Sequence, residues 1–370
     1  MHQCTTAACR AYANRSNRAM IRRIVTCAAV SIWISLSFNG LVAEAVTLPP
    51  VDDLMKELKL SDRDREKVRH GEIVDWSPSE GSDRELALGM VFLVKAKKED
   101  LFEIYRQAMV LREVSVITAH GTLTGQGSME DLAGVELKPN AEKEAKRYLD
   151  AEPGEELNLD AKEMEAFRAL QSASKDGQVP VKEVEELIRK GLLARYQGFH
   201  TKGLAGIAPY ERGSGKQRLA GDELLLSTKQ LSGVAKYLPA FHKFLLNYPN
   251  GLPEGEAKNL EEYFYWLNID IFGRPTYVLV QRILYHVGDA AMAVERQYYS
   301  SHDYNSMLQG VAVIPTKEGM FLFYIGRVST DQVAGFTSSA LHPVSRAIAA
   351  PYIKDMFRDL QARAAKKQKK

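Results

Sequence analysis

The stretch EYFYWLNIDIFGRPTYVLVQRILYHV, residues 262–287, decides how the chain is read. It contains two runs dense in β-branched and aromatic residues, separated by Phe272-Gly273-Arg274-Pro275. Such runs around a Gly- and Pro-containing break predict a β-hairpin. Downstream, AAMAVERQYYSSH (290–302) and SMLQGVAVIPTKEGMFLFYIGRV (306–328) predict three more strands, the last two joined by a turn around residues 316–319. DQVAGFTSSALHPVSRAIAAPYIKDMFRDLQ (331–361) then predicts one long helix or two. Val333, Phe336, Ala340, Val344, Ala347, Ile348 and Ile353 keep rough helical spacing there. Pro343 or Pro351 should kink or divide that helix. An antiparallel meander followed by a long helix predicts an α+β fold, a curved antiparallel sheet packed on the C-terminal helix.

Working upstream, ELALGMVFLVKA (85–96) and REVSVITAHGTL (112–123) read as further strands. DLMKELKLSDRDREKVRHG (53–71) and KKEDLFEIYRQAM (97–109) read as helices. Residues 139–190 are rich in Glu, Lys and Ala, with breaks near Pro153-Gly154 and 177–180, and predict a polar helical insertion. The expected organisation is an N-terminal α+β part over 46–138, the insertion over 139–190, and the main α+β part over 191–370.

Residues 1–45 read as a signal peptide. Met20-Ile-Arg-Arg supplies a basic start, 24–38 a mostly apolar core, and Ala43-Glu44-Ala45 small residues at the cleavage positions. Residues 1–19 read as an upstream start that need not be used. The alternative is an uncleaved anchor holding the protein at the inner membrane, facing the periplasm. All three cysteines, Cys4, Cys9 and Cys27, fall in this segment. The mature chain would carry no disulfide, no thiolate nucleophile and no Cys-ligated metal. Removing five Arg and one Glu from 49 basic and 47 acidic residues leaves 44 and 46, a net charge of −2. That balance gives no electrostatic case for nucleic acid. The basic tail ARAAKKQKK (362–370) could make weak contact with an anionic membrane surface.

Several chemistries lack their residues. YERGSGKQ (210–217) has the glycines of a phosphate loop, but Tyr210 and Gln217 stand where Gly and Ser or Thr are required. No two histidines are three or four apart, so no helical His pair exists for a metal. No cofactor and no metal are expected.

GLAGIAPYERG (203–213), the hairpin segment, YYSSHDYNS (298–306) and FLFYIGRVSTDQVAGF (321–336) resemble a family of exported bacterial proteins without an assigned activity. The element order is similar to the helix-grip superfamily of START-type and polyketide-cyclase-like proteins. That similarity implies an apolar cavity between sheet and helix, and fold alone does not give function.

QYYSSHDYNSM (297–307) sets Ser301, His302 and Asp303 in a row. Strand geometry sends neighbours to opposite faces, so the row is not a triad. The alternate residues Arg296, Tyr298, His302 and Tyr304 are expected to form one polar wall. Arg327, with Asp331 as its partner, is the other candidate anchor, while Thr330 or Asp331 should cap the last helix. The expected function is an exported, disulfide-free protein binding a lipidic or other hydrophobic small molecule. The alternatives are a cavity enzyme, with His302 and Tyr298 or Tyr304 exchanging protons and an Arg holding an anion, and an envelope protein-interaction module.

Overall fold

The computed structural model describes residues 48–96, 116–174, 178–252, 254–335 and 338–367. The segment expected to be a signal peptide, with its cysteines, and the helix expected over 97–109 lie outside the described residues.

The deciding hairpin forms from β6 (Leu260–Ile271) and β7 (Arg274–Val287), paired from Ile271 and Arg274 to Leu260 and Tyr285. Its turn is shorter than the four-residue break suggested. Only Phe272 and Gly273 lie outside the strands, at φ of 55° and 79°. Two positive-φ residues make a turn whose twist matches the flanking strands. Phe272 is a costly residue there, and Asp270 compensates by accepting the Gly273 N–H at 2.5 Å.

β8 (Ala290–Ser300), β9 (Ser306–Thr316) and β10 (Gly319–Ser329) extend the meander. Upstream lie β1 (Val74–Trp76), β2 (Glu85–Val94) and β3 (Ile117–Leu123). Together these strands make an eight-stranded sheet in the order β1-β2-β10-β9-β8-β7-β6-β3. Each adjacent pair is antiparallel, and the sheet does not close. The three strands from the N-terminal part thus bracket the meander, β1 and β2 on the β10 side and β3 beside β6.

The helices are α1 (Val51–Glu57), α2 (Asp62–Arg69), α3 (Ala141–Leu149), α4 (Ala161–Ala173), α5 (Val181–Lys202), α6 (Ala220–Lys229), α7 (Ser232–Tyr237), α8 (Pro239–Asn247) and α9 (Ser338–Lys367). A small hairpin, β4 (Tyr210–Arg212) and β5 (Lys216–Arg218), stands apart from the large sheet. It occupies the place of the apparent phosphate loop, whose glycines serve its turn: Gly215 sits at φ 68°.

One sheet face meets the C-terminal helix as the sequence predicts. Leu88, Met90, Phe92 and Val94 of β2 alternate toward Ile353, Phe357 and Leu360 of α9. The Phe92 and Phe357 rings lie 4.4 Å apart. The helix runs undivided through Pro343 and Pro351.

The opposite face is covered by helices. Phe264, Trp266, Ile283, Tyr285, Met292 and Val294 share one core cluster with Tyr148 of α3, Phe167 of α4, Phe199 of α5 and Phe241 of α8. The stretch 139–190 is therefore polar only on its outer side. In α5, Val184, Ile188, Leu192, Tyr196 and Phe199 form one buried stripe at helical spacing, and the helix continues past residue 190. On the same side, α1 and α2 bury Met55 and Val68 against Val91, Leu93 and Phe321.

Candidate functional site

The expected wall of Arg296, Tyr298, His302 and Tyr304 does not form. β8 carries a bulge: Val280 pairs with Gln297 and Leu279 with Tyr299, so Tyr298 has no opposite residue. The strand then ends at Ser300. Simple alternation holds only as far as Tyr298.

Arg296 and Tyr298 face the helical layer, fully buried. The Arg296 guanidinium donates to Gln281 Oε1 at 3.4 Å and to the Leu245 carbonyl, and its Nε has no partner. Burial without a paired carboxylate lowers its pKa to about 10. Tyr298 stacks on Phe199 at 4.0 Å and 9°, with its hydroxyl unpartnered. Tyr304 lies on the other side of the sheet, clustered with Leu86, Met307 and Val328, and donates to Gln297 Oε1.

His302 sits in the turn after β8. Its Nδ1 is 2.5 Å from Asp303 Oδ2, and its Nε2 is 3.1 Å from both Thr276 Oγ1 and the Pro275 carbonyl. The Asp-His-hydroxyl order looks like a triad, with Thr276 in the nucleophile's place. Thr276 is wholly buried and His302 is 2 % exposed, so nothing from solvent can reach the hydroxyl. Ser301 Oγ accepts the Tyr277 N–H at 3.0 Å, and Ser300 Oγ donates to the His302 carbonyl at 2.7 Å. Both serines hold backbone in place.

Arg327 and Asp331 do not pair with each other. Arg327 donates to Glu85 Oε2 at 3.0 Å and to the carbonyls of Ser79 and Gln230, and burial lowers its pKa despite Glu85. Asp331 instead receives Arg84 at 3.1 Å, Arg212 at 3.2 Å and Arg218 at 2.6 Å. Thr330 is the cap, but of the short 3₁₀ turn Asp331–Val333 and not of α9.

What the sequence did not show is an apolar cavity of about 290 Å³ on the helical side of the sheet. Met292, Ala312, Ile314, Phe323 and Ile325 form its floor. Leu54 and Leu58, at and just past α1, and Leu231, Val234 and Leu238, on and around α7, make its walls. The floor is low because its strand positions carry small residues: Ala312, and Gly310 beside it, where a Cβ would meet Met292 Cε at 2.9 Å. Helices resting on the taller neighbouring side chains cannot fill that space. At the rim, Lys236 Nζ donates to Glu57 Oε1 at 2.6 Å, and the Tyr237 hydroxyl donates to the same carboxylate. Hydrogen bonds of Lys236 to Glu57 and to Tyr237 hold its pKa up, at about 12. Arg296, Tyr298, His302, Tyr304, Arg327 and Asp331 are all absent from the lining.

No family model, curated protein or solved structure matches this chain. Among the described residues, no helix is long and apolar enough to cross a membrane.

Proposed function

We propose that this protein binds a hydrophobic, lipidic small molecule in the cavity against β8, β9 and β10, with the polar end of the ligand at the Glu57–Lys236 rim. One observation carries the reading: a largely apolar space of about 290 Å³ whose lining includes the solvent-exposed Glu57–Lys236 pair. That volume lies at the lower end of small-molecule sites, which run from about 300 to 1,000 Å³. Each CH₂ taken from water into such a site contributes about 0.8 kcal/mol, so a short acyl or isoprenoid chain would bind measurably. The cavity lies across the sheet from α9, so the reading differs in place from the one that the helix-grip similarity implies. Residues 20–45 support a periplasmic or secreted location for this activity.

The test is native mass spectrometry of the full chain from cells, paired with titration of a dansyl fatty acid. Co-purifying lipid and saturable fluorescence enhancement are expected. Ala312→Trp, which fills the floor, should abolish both while leaving the melting temperature nearly unchanged. Enhancement that survives Ala312→Trp in a folded protein would refute the assignment.

A further inference from the structure

We propose that Arg84, Arg218 and Glu223 form a second site, which binds a small oxyanion such as a carboxylate or a sulfate-like group. The elements that build it are distant in sequence. Arg84 precedes β2, Arg218 ends β5, Glu223 lies in the first turn of α6, and Asn305 links β8 to β9. Asp331, just after β10, holds them together through Arg84, Arg212 and Arg218.

Two groups at this junction remain unused. Glu223 is 9 % exposed, and its Oε2 has no hydrogen-bond partner. Arg218 Nε, also cut off from water, has none either, and it lies 3.7 Å from Glu223 Oε1, beyond hydrogen-bond length. A buried N–H and a buried carboxyl oxygen left unpaired are each unfavourable. A ligand oxygen pair satisfies both once the partly exposed Arg218 side chain swings out to receive it, accepting from Arg218 Nε–H and from a protonated Glu223. Access comes from the side of Arg84 and Arg218, whose side chains are 34 % and 23 % exposed. Arg212 takes no part in capture, because its guanidinium is already spent on Asn158, Asn305 and the Gly154 carbonyl.

The charged and titratable groups facing Glu223 are Arg218 from β5, Arg84 from the loop before β2, Tyr210 from β4, and Asp331 after β10, which Arg212 also pairs. Asp83 takes part of Arg84 on the solvent side. Burial, with repulsion from Asp331 behind it, pushes the Glu223 carboxyl up to about 7. A neutral Glu223 leaves the arginines in excess, so anion uptake should strengthen as pH falls through neutrality.

Isothermal titration of the full chain with sodium sulfate and, separately, sodium acetate, against chloride at matched ionic strength, tests this. Saturable one-site heat is expected for at least one probe, and which one binds distinguishes a tetrahedral from a planar ligand. Binding should be at least about fivefold weaker at about pH 8.5 than at about pH 6. Arg84→Gln and Arg218→Gln should abolish it, and Glu223→Gln should keep it but flatten its pH dependence. If an arginine variant fails to fold, the pH profile of Glu223→Gln decides. Absence of saturable heat in the unaltered protein, or a pH profile unchanged by Glu223→Gln, overturns the proposal.

Discussion

Replacing Glu223 by Gln should change how the stability of the protein depends on pH, in a calculable direction. In the folded chain the carboxyl is nearly buried and its pKa is raised from 4.5 to about 7. In the unfolded chain it returns to the ordinary value. Between these two values the folded state holds a proton that the unfolded state has released. Stability contributed by that proton is complete below pH 4.5 and is lost as pH rises to about 7. At 1.36 kcal/mol per pH unit, the loss is about 3 kcal/mol. Gln cannot ionise, so the variant lacks this loss. Urea unfolding of both proteins, in chloride buffer without sulfate or phosphate, measures the difference. The two should be equally stable near pH 4, with the variant ahead by about 3 kcal/mol near pH 8. A difference that stays constant across the range would refute the reasoning, because it would mean that Glu223 titrates alike in both states.

Phe357→Ala should remove about 3–5 kcal/mol, read as a lower denaturant midpoint, because its ring packs on Phe92 and Tyr324 in the seam between sheet and C-terminal helix. His302→Ala should lower the melting temperature with a loss of about 2–4 kcal/mol, since both ring nitrogens are engaged inside the fold. An unchanged melting temperature would reopen a chemical role for this histidine. Tyr298→Phe should be neutral or stabilising by up to about 1 kcal/mol, because the hydroxyl is buried without a partner; a clear loss on calorimetry would mean that it has one.

Local pattern carried the strands well. The runs at 262–287 and 306–328 became β6, β7, β9 and β10, and the C-terminal helix packs on the sheet. These depend on period and composition, which a sequence displays directly. The polar wall failed at one residue. The bulge at Tyr298 is fixed by pairing with β7, and nothing within QYYSS announces it. The helical stretch 139–190 looked detached because its charged side dominates composition, whereas its stripe of Val184, Ile188, Leu192, Tyr196 and Phe199 supplies core. The cavity needs small residues on β9 to meet α7 across the sheet, and the arginine cluster joins residues from loop 84 to residue 331. Both are long-range coincidences. Their one visible trace is the small-residue texture of AAMA and QGVAV, which marks a low place on a strand without saying what faces it.

Entry to the cavity also follows from which contacts are strong. α1 is anchored by Met55, fully buried against Val91, Leu93 and Phe321. Its last residue, Glu57, meets α7 by accepting from Lys236 and Tyr237, and the Glu57 and Lys236 side chains are 42 % and 58 % exposed. An ion pair that open to water contributes about 0–1 kcal/mol and is weakened by salt. The ion pair's share of the cost of parting the two helices at the rim is therefore less than burying two CH₂ groups returns, at about 0.8 kcal/mol each. The sheet is not disturbed, because the floor residues Met292, Ala312 and Phe323 are each paired with a neighbouring strand on both sides. Under the proposed reading, a rigid floor with a loosely tied rim lets a hydrophobic chain enter past Glu57 and Lys236. Its polar end then remains where the protein offers both a carboxylate and an ammonium group.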